Sequence, residues 1–138
     1  MEKNRTLLDY QSHWEKIVNR GFKDYQSLYP KERMWFNIQG LIGDVDNGGL
    51  ISHYYNSGAD RNRETIEDLD ALGFSDIADL MRKLNELFPG GRPSLDINER
   101  NKVISSWPDS VESLLDEVDT AFYSREKKLE DVLIEQIV

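Results

Sequence analysis

No cysteine occurs among the 138 residues, which excludes a disulfide framework, a thiolate zinc site and a thiol nucleophile together. The absence fits a reducing compartment. Histidine is almost as scarce, with His13 and His53 the only two, so histidine chemistry has few places to sit. No run of about 18 apolar residues appears anywhere in the chain, as a membrane helix would require. The opening Met1-Glu2-Lys3-Asn4-Arg5 leads into a polar amphipathic pattern rather than an apolar signal core. A soluble, cytoplasmic protein is expected. Strand-type alternation is nearly missing as well, which leaves helical spacing as the organising signal.

What the chain does have is negative charge. Its 26 acidic residues oppose 17 basic ones, for a net of −9. The imbalance is uneven: residues 1–40 carry 7 Lys/Arg and 5 Asp/Glu, so the whole deficit lies beyond them. Such a surface repels nucleic acid and anionic membrane, both of which bind through Lys and Arg. A basic protein partner is the electrostatic complement; ordinary solubility is the plainer explanation. At this length a single domain is expected, burying roughly 68–70% of its unfolded surface.

Apolar residues recur at helical spacing along the chain. Leu7, Tyr10, Trp14 and Ile17 form a first stripe that ends near Gly21. Pro30 suits a first helical turn, where its missing N–H is not needed. Met34, Ile38, Leu41, Ile42 and Val45 make a strong second stripe, stopped at Gly48 and Gly49. Ile66, Leu69 and Leu72 run up to Gly73, and Ser75 is placed to cap the next helix, which carries Ile77, Leu80, Met81, Leu84 and Phe88. Pro89 to Pro93 is a loop, and Asp96 with Glu99 reads as a capping pair. Val111, Leu114, Leu115, Val118 and Phe122, then Leu129, Val132, Leu133 and Ile137, occupy residues 109–137 as one helix or two. The fold class is all-α: a single compact domain, residues 1–138, of about six to eight helices around an Asn-Gly-Gly corner.

That corner is the most specific stretch. Asn47-Gly48-Gly49 and Asn56-Ser57-Gly58 bracket a short aromatic run containing Tyr54 and Tyr55. Asp44, Asp46 and Gly49 match positions 1, 3 and 6 of a calcium loop, but Gly48 and Tyr55 stand where positions 5 and 12 need oxygen ligands. No metal is expected. The glycines lack the preceding strand or nearby lysine of a phosphate cradle, so both Asn-Gly pairs are read as left-handed helix stops. Ser52 beside His53 is no nucleophile–base pair, because adjacent helical residues do not face each other. Trp35, Phe36, Tyr54 and Tyr55 suit packing better than an exposed aromatic surface, and Trp107 before Pro108 anchors the entry to the last helix. No catalytic residue and no cofactor is indicated; an enzyme is not expected.

The carboxylates are arranged more suggestively. Asp60, Glu64, Glu67 and Asp68 fall on one side of a helix, and Glu112, Asp116 and Asp119 do the same near the C-terminus. Neighbours at such spacing lie about 5–6 Å apart at Cβ, close to the phosphate spacing along a nucleic-acid strand. A rigid row could occupy a basic groove made for DNA; a solvated helix face is the plainer alternative.

From Leu28 onward the chain resembles a DMP-like bacterial family of uncharacterised helical domains, typified by the DNA mimic protein found in Neisseria. The matching residues include Pro30-x-Glu32-Arg33, Asp44 to Leu50, Tyr54 to Asp60, Leu72-Gly73, Phe88-Pro89-x-Gly91-x-Pro93 and Asp119-x-x-Phe122-Tyr123. The resemblance implies an all-helical fold and a dimer whose acidic surface binds the DNA-binding face of a transcription factor. The function expected is therefore a non-enzymatic acidic interaction protein, a DNA mimic that sequesters a basic DNA-binding protein, with a possible homodimer. An immunity protein neutralising a toxin such as a nuclease is one alternative, which the neighbouring gene would distinguish. A small-ligand module using a cleft around His53 and Tyr54 is another.

Overall fold

The computed structural model describes residues 5–137; of the polar opening, Met1 to Asn4 lie outside them. Seven α-helices and four short 3₁₀ turns account for the architecture, and no strand occurs among the described residues. The helices are α1 (Gln11–Lys23), α2 (Pro30–Gly48), α3 (Ile51–Tyr55), α4 (Asn62–Ala71), α5 (Ser75–Asn85), α6 (Ile97–Ser105) and α7 (Val111–Ile137). Among the described residues, no helix is long and apolar enough to cross a membrane.

Helix α2 is the hub, packing against α1, α3, α4 and α7. Pro30 occupies its first turn as expected, and Glu32 reaches back to the Tyr29 N–H at 2.8 Å. Ile38, Leu41, Ile42 and Val45 are buried. Met34 stays at the edge, and Trp35 takes the core position instead, donating its indole N–H to Gln39.

Gly21 is not a stop. Helix α1 continues through it to Lys23, and a Cβ there would overlap the Phe36 ring. Its lack of a side chain lets α1 lie close against α2.

Gly73 does end α4, with φ at 90°. The Phe74 N–H donates to Leu69 O at 2.8 Å and the Gly73 N–H to Asp70 O at 3.1 Å. This double bond, with Phe74 and Leu69 both buried, is the Schellman arrangement. Ser75 proves to be the first residue of α5, one place later than a capping residue. Asp96 caps α6, accepting from the Asn98 and Glu99 N–H groups, whereas Glu99 turns its carboxylate to Lys102.

Residues 111–137 form one helix of 27 residues. Its inner side, with Val118, Phe122, Leu129 and Leu133 fully buried, packs on α2 and α5.

Candidate acidic interface

Helix α2 ends where Gly49 adopts a φ of 83°, a left-handed conformation that glycine enters without steric penalty. A second constraint acts there: a Cβ on Gly49 would stand 2.7 Å from Asp119 Oδ2. Asp119 comes from α7 and accepts the Leu50 N–H at 2.8 Å. Two residues of this corner, Asn47 and Gly48, belong to the last turn of α2. The second bracket differs in kind. Tyr55 closes α3, Asn56 is extended at φ −108°, and Gly58 is not left-handed. A Cβ on Gly58 would meet Asp44 Oδ2 at 3.0 Å, so close approach governs that position rather than backbone handedness. Asn56 binds the same Asp44 carboxylate at 3.0 Å, and burial raises the Asp44 pKa.

Arg100, fully buried on α6, holds the corner from the other side. Its guanidinium donates to Tyr54 O at 3.0 Å, Asn56 O at 2.9 Å, Ser94 O at 2.7 Å and Asp60 Oδ1 at 2.9 Å. Carbonyls left over at the end of α3 thereby gain a charged donor, and the buried cation gains its counter-ion. Apart from Ser94, these groups lie forty or more residues before Arg100 in the chain, and nothing in local spacing announces them.

His53 and Tyr54 do not border a cleft. Both are buried and belong to one polar chain: Tyr54 OH donates to Asn85, Asn85 to Asn62, and Asn62 to His53 Nε2, over 2.8, 2.7 and 3.1 Å. Burial, reinforced by the Arg100 charge, lowers the His53 pKa to about 3. Its imidazole is therefore neutral near pH 7, accepting at Nε2 and carrying its proton on Nδ1. Tyr54 is raised by burial. Of the four aromatic residues considered above, Trp35 and Tyr54 are buried and Phe36 packs edge-on to Phe22 and Tyr25. Only Tyr55 is exposed.

The two acidic rows meet different fates. Asp60 is not on the helix with the others: it lies in the 3₁₀ turn Ser57–Arg61 that precedes α4, where it is tied to Arg100. Glu64 lies 3.7 Å from both Arg61 and Arg63. Glu67 pairs with Arg63 at 3.8 Å. Asp68 leans inward to accept from Asn37 at 3.0 Å, and its pKa is raised by burial, with Glu67 and Glu64 adding to the effect. Arginines interleave this row.

The row on α7 is longer than its first three members. Glu112, Asp116, Asp119, Tyr123, Glu126 and Glu130 follow one another at steps of four and three, which keeps all six on one stripe of the helix. No lysine or arginine interrupts those positions. Glu112, Asp116 and Tyr123 are exposed, and Asp119, Glu126 and Glu130 are partly so. Toward its far end the stripe meets the last turn of α2. Tyr123 OH donates to Val45 O at 2.8 Å, and Glu130 accepts the Leu7 N–H at 3.2 Å. Glu126 shares a hydrogen bond with Asp46. Its carboxyl is pushed up to about 7, chiefly by burial, then by that bond and by the charges of Asp46 and Glu130. Burial first, and neighbouring carboxylates second, thus keep a proton on the stripe near neutrality.

Comparison with known proteins adds one finding. Residues 26–138 match the family model described as DMP19-like protein. No curated protein and no solved structure matches the chain.

Proposed function

The chain belongs to the DMP19-like protein family, and from that premise we propose that it is a non-enzymatic interaction protein, a DNA mimic that captures and sequesters a basic DNA-binding protein. The observation that carries this reading is the acidic stripe on α7, five carboxylates and Tyr123 in one register with no cation among them. From Glu112 to Glu130 the helix rises roughly 27 Å, the scale of a protein's footprint on one face of a duplex. Glu112, Asp116 and Asp119, and again Glu126 and Glu130, stand at steps of three and four, about 5–6 Å apart at Cβ, a spacing that a cationic groove built for phosphates can accept. The first row, Asp60 to Asp68, contributes less because its charges are matched by Arg61, Arg63 and Arg100.

The partner is a Lys/Arg-rich protein held through its nucleic-acid-binding face. Opposite potentials would steer the encounter and make affinity fall with added salt, since the screening length is about 8 Å at physiological ionic strength. The test is an affinity pull-down from the native host at low and high salt, with duplex DNA as competitor. Wild-type chain should retain a basic protein that salt or DNA releases. The triple variant Glu112→Lys, Asp116→Lys, Glu126→Lys should lose about a hundredfold or more in affinity, at the scale of several disrupted charge contacts, with its helical circular dichroism unchanged. Equal capture by the triple variant would refute the stripe as the binding surface.

A further inference from the structure

A groove of about 340 Å³ opens between α3, the connection from α6 to α7, and the first turns of α7. Its lining is mostly polar, with apolar groups from Ile51, Leu115, the exposed ring of Tyr55 and the indole of Trp107. Its rim carries Glu112 and Asp116, and no Lys, Arg or His lines it. Neither rim carboxylate has an ion pair or side-chain hydrogen bond among the described residues, unlike Asp60 and Glu64. The groove is continuous with the α7 stripe, sharing its first three members.

We propose that this groove is the anchoring pocket for an arginine side chain of the captured protein, an inference that rests on the DNA-mimic reading and specifies its contact. The volume suits one long side chain and its neighbours, at the small end of ligand pockets. An arginine stem can lie on Ile51 and Leu115 while its guanidinium spans Glu112 and Asp116, one helical turn apart. The ring of Tyr55 supplies a face for the guanidinium plane, a contact that favours arginine over the compact, strongly hydrated lysine ammonium.

One further group favours a peptide chain over a free polyamine. Trp107 lines this groove, and its Nε1 is buried with no acceptor; an unpaired buried donor is unfavourable. A main-chain carbonyl of an incoming segment can satisfy it with a small outward turn of the ring. A polyamine has donors only and leaves the indole N–H unpaired.

The experiment follows the Trp107 indole N–H in ¹⁵N-labelled full chain, titrated with end-blocked tetra-arginine, tetra-lysine, tetra-citrulline and spermine. Tetra-arginine should shift that resonance saturably, tetra-lysine roughly threefold or more weakly, and tetra-citrulline not at all. The double variant Glu112→Gln, Asp116→Asn should weaken tetra-arginine about tenfold, as expected for two lost charge contacts, with its melting temperature retained. If tetra-arginine moves only the Glu126 and Glu130 amides, the anchoring pocket is overturned while the stripe survives. Spermine matching tetra-arginine at Trp107 overturns it in favour of a free-cation site. Loss of partner capture in the pull-down would instead strike the parent reading.

Discussion

Two rows of carboxylates, nearly alike on paper, behave as opposites in the folded chain. Asp60, Glu64, Glu67 and Asp68 sit among Arg61, Arg63 and Arg100 and are largely engaged inside the molecule. The α7 row from Glu112 to Glu130 has no cation in register, and burial, helped by Asp46 and Glu130, leaves Glu126 holding a proton near neutrality. Periodicity of one charge sign is therefore a poor guide to an available surface. What distinguishes the rows is the identity of the residues between them and of the helices packed beside them.

The sharpest way to break this contrast is at Arg100. Replacing it with Leu should lower unfolding stability by about 3–5 kcal/mol, because Asp60 and three carbonyls lose their donor at once. Urea denaturation measures this. Asp60→Asn should cost less, since its carboxylate is 46% exposed and the carbonyl acceptors of Arg100 remain. An unchanged urea midpoint in Asp60→Asn, together with lost partner capture, would reverse the roles given to the two rows.

A smaller effect sharpens the α7 side. The Glu126 pKa is raised in the folded chain from 4.5 to about 7. Its favourable contribution is therefore full below the unfolded pKa and is lost as pH rises through the folded one. Glu126→Gln should raise stability by on the order of 1 kcal/mol near pH 8, after allowance for solvent screening, and change little below about pH 4.5. Neutral His53 acts in the opposite sense: its contribution is present above pH 6.5 and is lost as pH falls toward about 3. Thermal melts across this range separate the two, and equal gains for Glu126→Gln at both ends would refute the raised Glu126 pKa.

The smallest effect is expected at Glu67, whose partner Arg63 is 83% exposed. Glu67→Gln should shift stability by no more than about 0.5 kcal/mol and leave capture by the pull-down unaltered. A large loss of capture there would place the first row back in the interface.

The legible parts of the chain were those whose cause is local. The Ile38 to Val45 stripe, Pro30 at a helix start, Asp96 as a cap and the stops at Gly49 and Gly73 each follow from residues a few places apart. The first helix does end near Gly21, at Lys23, but the sequence could not show that Gly21 itself is needed for the close approach of Phe36. Arg100 and the chain from His53 to Asn85 were illegible because most partners lie far away in the sequence. The candidate surface was half legible. Its α7 row was truncated at Asp119 because Tyr123 interrupts the run of acids, although the same register resumes at Glu126 and Glu130. Asp119 itself carried a second duty that spacing could not reveal, the N–H of Leu50.

Helix α7 presents its carboxylates on the back of a fully packed seam, since Val118, Phe122, Leu129 and Leu133 beneath them are inaccessible to solvent. A ligand docking there meets a template already set, with little main-chain freedom left to freeze. The ordering entropy of association would then fall mostly on the long cationic side chains of the other protein, and on the shorter acidic ones only slightly. Recognition would be decided by how well that protein fits a fixed charge pattern, rather than by mutual adjustment.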